Sequence, residues 1–144
     1  MRGSPNISVV IMEASGIVRE RLVGLMSRVA DAVIVGTAEK GAEGLALCAR
    51  QQQVDVAIVD MELPDVNTMD LLRRIRKLQP ACRIIALTSY PFKELRLRSL
   101  ESGADFCFDK TRDFENAIDV CEEIACQNTN PSQSGAKKNN PREN

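Results

Sequence analysis

The sequence contains no histidine and no tryptophan, and aromatic residues make up only 3% of its 144 residues. Without histidine, the chain itself cannot perform acid–base or nucleophilic catalysis that uses an imidazole. The 5 cysteines form no Cys-x-x-Cys pair, so a structural zinc site is not expected. We interpret them as reduced thiols of a cytoplasmic protein. Because 44% of the residues are nevertheless hydrophobic, the core must be mostly aliphatic.

Long apolar runs and a strong charge imbalance are also lacking. No segment approaches the roughly 20 consecutive apolar residues that a membrane span needs, and no secretory leader is recognisable. The 19 basic and 20 acidic residues give a net charge of -1, which argues against broad electrostatic binding to nucleic acid or to anionic membranes. We therefore expect one domain that binds neither nucleic acid nor membrane.

Composition divides the chain into three parts. Residues 1–6, which begin Met-Arg-Gly-Ser-Pro, are interpreted as an expression leader or a disordered N-terminus. Residues 7–126 carry the apolar patterns of a folded domain. Residues 127–144 are rich in Asn, Ser, Gln, Pro and Lys and are predicted to be a disordered tail, because they cannot bury enough apolar surface.

Strand-like and helix-like segments alternate through the central part. Strands are predicted at 7–12, 32–36, 54–60, 82–88 and 104–109. Helices are predicted after Ser15, at 41–52, from Asn67 or Thr68 to Pro80, from Pro91 to Gly103, and at 111–126. Five strands alternating with five helices predict an α/β fold, a flavodoxin-like doubly wound (βα)5 sandwich with a parallel five-stranded sheet in the order 2-1-3-4-5.

Apolar spacing also predicts which helix residues face the core. The predicted inward residues are Leu45, Cys48 and Ala49 in the second helix; Leu71, Leu72, Ile75 and Leu78 in the third; and Phe114, Ile118, Cys121 and Ala125 in the fifth. Gly44 is expected to weaken the second helix by about 1 kcal/mol relative to Ala. The charges of the third helix, at positions 73, 74, 76 and 77, are predicted to form a solvated face.

Four polar residues stand at the ends of predicted strands. Glu13 directly follows the first strand, Asp60 ends the third, Thr88 ends the fourth, and Lys110 directly follows the fifth. Taken singly, each has an ordinary structural explanation, such as a turn or a surface position. Open α/β sheets bind ligands at this edge, beside the switch point between the first and third strands. Two carboxylates, a hydroxyl and an ammonium there suit Mg²⁺ and a phosphoryl group carried by an aspartate.

With these residues in place, the sequence resembles a response regulator receiver domain of two-component signalling, from about residue 7 to residue 126. Three motifs carry the resemblance: Asp60 with Leu63-Pro64, then Ala86-Leu87-Thr88-Ser89, then Gly103-Ala104-Asp105 followed by Lys110. The resemblance implies Asp60 as phosphoacceptor, Thr88 as switch hydroxyl and Lys110 as the lysine that contacts phosphate. It also implies Mg²⁺ as cofactor, with metal ligands from Glu13, Asp60 and the backbone carbonyl of Glu62.

The resemblance implies partners as well. The phosphoryl group would come from a sensor histidine kinase or a phosphotransfer protein, and the domain would act on an unidentified downstream protein. The chain would be no enzyme beyond its own phosphorylation and dephosphorylation. We expect a stand-alone domain, a monomer or weak dimer, that signals through its fourth helix and fifth strand. The switch and interface residues on that surface are Ser89, Phe92, Arg96 and Cys107.

Two positions depart from the family pattern. The first strand of the family ends in two adjacent acids, which fall here on Glu13 and Ala14, or on Met12 and Glu13 if the strand slips by one residue. Ala14 takes the place of the acid that touches the metal, so Mg²⁺ binding is expected to be weak, on the order of millimolar. The side chain of Glu13 or Glu62 is expected to replace part of the missing charge. Cys107 stands where the family has an aromatic switch residue, and we interpret it as a half-buried hydrophobe rather than a redox sensor.

These departures keep a second function open. The first hypothesis is a phosphoacceptor switch; the second is a pseudo-receiver, an interaction module that works without phosphorylation because Ala14 replaces the metal-ligand acid. An ordinary phosphohydrolase has little support, since the chain shows no added cap domain.

Overall fold

Segments rich in Val and Ile form the centre of the fold in a computed structural model that describes residues 6–90 and 92–129. The strands are β1 (Ile7–Met12), β2 (Ala32–Ala38), β3 (Val56–Asp60), β4 (Arg83–Thr88) and β5 (Phe106–Asp109). The helices are α1 (Gly16–Met26), α2 (Gly41–Arg50), α3 (Thr68–Leu78), α4 (Lys93–Glu101) and α5 (Phe114–Thr129). All strands pair in parallel in the order β2-β1-β3-β4-β5, which confirms the predicted flavodoxin-like sandwich.

Helices cover both faces of the sheet, and alternate strand residues face different helices. On one face, residues such as Ile11 and Ile58 pack with α1 and α5. On the other face, residues such as Met12 and Val59 pack with α2, α3 and α4. Every residue of β3 is buried, as expected for a central strand covered on both sides. Within the described ranges, each helix is too short or too polar to cross a lipid bilayer.

The predicted inward face of α5 is confirmed, whereas those of α2 and α3 need correction. Ala49 is exposed and Leu78 is 43% exposed, because both point away from the sheet. The buried stripe of α2 is instead Gly41, Gly44 and Cys48. A Cβ at Gly44 would overlap the side chain of Met12, so this glycine allows the helix to lie close against the sheet.

Several element boundaries also differ from the predictions. β2 continues to Ala38, while β3, β4 and β5 begin one or two residues later than predicted. The N-cap of α3 is Asn67, whose Oδ1 accepts from the N–H of Asp70; Thr68 instead donates its hydroxyl to the carbonyl of Met61, at 3.2 Å. α5 continues to Thr129, past the domain boundary predicted at residue 126. Pro91, residues 1–5 and residues 130–144, with most of the predicted leader and tail, lie outside the described residues.

Two polar side chains tie together the amino edge of the sheet, the edge at which the strands begin. Gln79 is buried, donates to the carbonyls of Cys48 and Gln51, and accepts from the N–H of Val54. Its amide thereby joins the ends of α2 and α3 to the start of β3. These hydrogen bonds satisfy backbone groups that would otherwise be buried without partners.

Arg76 is the second of these side chains, and the prediction of a solvated face is wrong for it. Its guanidinium donates to the carbonyls of Pro80, Cys82 and Gly103 and pairs with Asp105 at 2.8 Å. Asp105 also accepts from the N–H of Ile84, at 2.9 Å. Arg76 therefore links α3 to the starts of β4 and β5. The planar fork of arginine suits several acceptors at once.

Candidate functional site

Asp60 and Lys110 meet at the carboxyl edge of the sheet, the edge at which the strands end. Asp60 is the last residue of β3 and Lys110 directly follows β5. The Lys110 ammonium lies 2.7 Å from Oδ1 of Asp60 and 3.4 Å from a carboxylate oxygen of both Glu13 and Glu62. Only 1% of the Asp60 side chain and 12% of the Lys110 side chain are exposed, so this attraction is weakly screened by solvent.

The carboxylate of Asp60 is held by three donors. Oδ1 accepts from Lys110 and from the N–H of Glu62 at 2.8 Å, and Oδ2 accepts from the N–H of Ala14 at 3.1 Å. Burial is the largest single influence and raises the pKa of Asp60, but the hydrogen bonds from Lys110, Glu62 and Ala14 together outweigh it. The net pKa lies below the ordinary value of an aspartate. Asp60 is therefore ionised at neutral pH, the form in which a carboxylate is a nucleophile.

The second carboxylate, Glu13, has a very different environment. Its side chain is 1% exposed; Oε2 accepts from the N–H of Ser15 at 3.0 Å, while Oε1 is buried and has no hydrogen-bond partner within the described part of the chain. Burial, aided by the charge of Asp60, raises the pKa of Glu13 to about 7, although Ser15 and Lys110 partly oppose this. The two acids thus differ in protonation near neutral pH.

The side chain of Glu62 connects Thr88 with Lys110. Thr88 donates its hydroxyl to Oε2 of Glu62 at 2.8 Å, and the N–H of Ser89 lies 3.2 Å from both carboxylate oxygens. The N–H of Met61 donates to the carbonyl of Leu87, so the ladder between β3 and β4 continues past Asp60 and brings Glu62 beside Thr88. The four predicted strand-end residues are thus brought into one cluster, with Thr88 joined to it through Glu62.

The sequence predicts a different role for the Glu62 side chain: either it or Glu13 is expected to replace part of the charge missing at position 14. The structure turns its carboxylate to Thr88 and Ser89 instead. The adjacency of the third and fourth strands, which the topology predicts, was the signal for this contact. What the topology did not predict is that the turn after Asp60 extends the ladder by one residue.

Comparisons with known proteins identify the family to which this fold belongs. The family model of the response regulator receiver domain matches residues 9–122. The chain belongs to this family. A CheY-like receiver domain of Methanospirillum hungatei superposes with a TM-score of 0.74 over 88% of this chain and 98% of its own, at 21% identity. A two-component response regulator of the LuxR family from Aurantimonas also gives a TM-score of 0.74, over 84% of this chain and 86% of its own, at 25% identity.

Curated relatives are similar over part of their length. A protein-glutamate methylesterase/protein-glutamine glutaminase of Hahella chejuensis is 30% identical over 68% of this chain and 25% of its own. The DNA-binding transcriptional activator DevR/DosR of Mycobacterium tuberculosis is 33% identical over 68% of this chain and 45% of its own. The aligned part of this chain thus spans about a quarter of the length of the first relative and just under half of the length of the second.

The oxygen donors of this receiver domain do not fit a tightly held Mg²⁺. Ala14 lies beside Asp60 but brings only its N–H to it, and the ammonium of Lys110 already balances the Asp60 charge. Within residues 6–90 and 92–129, no group of three or more acidic or cysteine side chains is arranged to hold a metal ion. A hard dication prefers several oxygen ligands, preferably charged ones.

The predicted switch and interface residues occupy two environments. Ser89, Phe92 and Arg96 are exposed at the β4–α4 connection and on α4, and 67% of the Phe92 surface is accessible. Cys107 is only 6% exposed and faces the α2–α4 side, opposite to its two phenylalanine neighbours, as strand alternation predicts. Burial raises the pKa of the Cys107 thiol, an effect that the nearby Ser99 hydroxyl partly opposes. A protonated, buried thiol suits a packing role better than a redox role.

Proposed function

We propose that this receiver domain is a phosphoacceptor switch. Asp60 accepts a phosphoryl group from a sensor histidine kinase or a phosphotransfer protein, and the phosphorylated domain binds a downstream protein. The observation that carries the proposal is the buried, ionised Asp60 carboxylate 2.7 Å from the ammonium of Lys110. We propose a cytoplasmic location, a monomer or weak dimer, and no turnover of an external substrate.

The proposed chemistry is a transfer between two protein side chains. A carboxylate oxygen of Asp60 forms a bond to phosphorus while the bond from phosphorus to the donor's imidazole nitrogen breaks, and the imidazole leaves with its electron pair. The N–H groups of Ala14 and Glu62 orient the Asp60 carboxylate, and Lys110 neutralises charge on the phosphoryl oxygens. Hydrolysis of the resulting acyl phosphate by water restores Asp60.

A second candidate, the pseudo-receiver, is favoured by two observations. Ala14 supplies no carboxylate to the site, and Thr88 and Lys110 already have acidic partners without a phosphoryl group. In that case the α4 surface would be presented in one fixed state. Against it, the paired Asp60 and Lys110 have no evident role in a domain that only presents a surface.

Phosphorylation of the intact chain distinguishes the two candidates. Acetyl phosphate or phosphoramidate with an excess of Mg²⁺ should add one phosphoryl group, seen as a single mass increase by intact-protein mass spectrometry. Asp60→Asn, which keeps the shape and removes the nucleophilic charge, should abolish the increase completely. Thr88→Val should retain it. Absence of any increase in the wild-type protein, or its persistence in Asp60→Asn, would leave the pseudo-receiver as the better account.

We also propose that Mg²⁺ binds weakly, with a dissociation constant on the order of millimolar. Titration of Mg²⁺ against the amide resonances of Asp60 and Ala14 measures this directly. Ala14→Asp places a carboxylate beside Asp60 and should tighten binding about tenfold or more, because it adds a charged ligand to a dication. A wild-type dissociation constant below about 0.1 mM, the tight end for weakly binding carboxylate sites, would contradict weak binding.

A further inference from the structure

Glu62 is the one acidic side chain of the site whose carboxylate contacts the β4–α4 connection. Its Oε2 accepts from the Thr88 hydroxyl at 2.8 Å, and both of its oxygens lie 3.2 Å from the N–H of Ser89. Its Oε1 also lies 3.4 Å from the ammonium of Lys110. A hydroxyl, a backbone N–H and an ammonium thus converge on one carboxylate. Such a donor set is what an oxyanion with several oxygens requires.

A phosphoryl group on Asp60 would need these same donors. Lys110 lies 2.7 Å from Oδ1 of Asp60, so phosphoryl oxygens attached to Asp60 would be within its reach. Thr88 ends the neighbouring strand and Ser89 directly follows it, and both offer uncharged donors on that side. The Glu62 carboxylate therefore stands where the phosphoryl oxygens would have to be placed.

We infer that the Glu62 carboxylate is an internal substitute for the phosphoryl group: in the unphosphorylated domain it engages Thr88, Ser89 and Lys110, and it must leave before Asp60 is phosphorylated. The competition with phosphorylation rests on the proposed function, whereas the hold on the β4–α4 connection does not. Because 29% of the Glu62 side chain is exposed, its carboxylate can turn away from the site into solvent.

The contact has two consequences. First, it fixes the β4–α4 connection without phosphorylation, since the Thr88 hydroxyl held by Glu62 in turn accepts from the N–H of Tyr90 at 3.0 Å. Secondly, it slows phosphorylation, because the Glu62 charge repels an incoming phosphoryl dianion and occupies part of the Lys110 charge. Glu62 is therefore a positioning residue that sets both the resting state of the connection and the rate of its modification.

The first consequence is tested on the unphosphorylated protein with Glu62→Ala. Amide hydrogen exchange at Ser89 and Tyr90 should accelerate about tenfold, because one amide loses its acceptor and the other depends on the orientation of Thr88. Intrinsic fluorescence is a second measurement of this connection, because Tyr90 is the chain's single tyrosine and the chain has no tryptophan. Glu101→Gln, an exposed acid at the far end of α4, is the matched control and should leave both signals unchanged.

The second consequence is tested with phosphoramidate and excess Mg²⁺. Glu62→Gln keeps the side-chain shape and removes the charge, and it should be phosphorylated about 5–10-fold faster than the wild-type protein. Glu101→Gln should match the wild-type rate. Equal rates for Glu62→Gln and wild type would contradict the inference that Glu62 substitutes for the phosphoryl group, because Glu62 would then not compete with it.

The two readouts separate this inference from the proposed function. If no variant gains a phosphoryl group but Glu62→Ala alone frees Ser89 and Tyr90, the phosphoacceptor function is lost and Glu62 is the permanent substitute of a pseudo-receiver. If Ser89 and Tyr90 exchange equally in Glu62→Ala and Glu101→Gln, the inference is wrong whatever the phosphorylation rates are. Circular dichroism of each variant, identical to the wild type, confirms that the fold is intact.

Discussion

Lys110→Met should lower the free energy of unfolding by about 3–5 kcal/mol at pH 8, the usual cost of leaving a buried charge without its partner. The substitution removes the only ammonium beside Asp60 within the described residues while keeping most of the buried volume. Asp60 would retain the N–H donors of Ala14 and Glu62, but its charge would face Glu13 without a cation between them. Urea unfolding followed by circular dichroism gives the difference.

The double variant Asp60→Asn/Lys110→Met is the control for this effect. It removes both charges, so it should recover most of the lost stability, since replacing a buried ion pair by neutral groups is often close to neutral. The loss in Lys110→Met should also shrink as the pH falls, because Asp60 can then take up a proton. If the free energy of unfolding of Lys110→Met lies within about 1 kcal/mol of the wild-type value, Asp60 and Lys110 do not form the buried ion pair described above.

Glu13→Gln should stabilise the domain at high pH and have little effect at low pH. In the folded state the pKa of Glu13 is raised from 4.5 to about 7, chiefly by burial. Ionising Glu13 therefore costs folding stability as the pH rises from the unfolded pKa through 7, and the neutral amide avoids this cost. The stability difference between variant and wild type should grow by about 2–3 kcal/mol between pH 5 and pH 8.

The measurement is a pair of urea-unfolding series from pH 5 to pH 8, in a buffer with a chelator so that no divalent ion contributes. Glu101→Gln changes the same formal charge on the surface and should run parallel to the wild type. If Glu13→Gln also runs parallel to the wild type over this range, then Glu13 ionises at its ordinary pKa. Its buried Oε1 would in that case have a partner in solution that the described residues do not supply.

Short-range patterns predicted the sheet well. Alternation of apolar β-branched runs with helical stripes predicted the five strands and five helices, because both patterns reflect which residues are buried. The strand order followed from the flavodoxin-like topology that such alternation favours. Strand alternation alone also predicted that Cys107 faces the opposite side of the sheet from Phe106 and Phe108. Even the meeting of Asp60 and Lys110, which are 50 positions apart, was predictable, since parallel strands end at one edge.

What the sequence did not predict depends on side-chain partners from distant elements. Arg76 belongs to a run of charges that is otherwise exposed, and it turns inward because its acceptors include the carbonyl of Gly103 and the carboxylate of Asp105, which lie far along the chain. Gly44 appeared unfavourable within its own helix, yet the side chain of Met12 from another element requires it. The orientation of Glu62 is of the same kind, because its partners lie on β4.

The two polar links at the start of the strands also affect how the domain can move. Gln79 and Arg76 bond to backbone carbonyls of several elements, so any displacement there would break multiple hydrogen bonds at once. α4, by contrast, buries only Ser99 completely. Local opening should therefore begin at α4 and leave the opposite end of the sheet as a fixed pivot. Signals that reach the site would then be converted into reorientation of one loosely seated helix rather than into distortion of the whole domain.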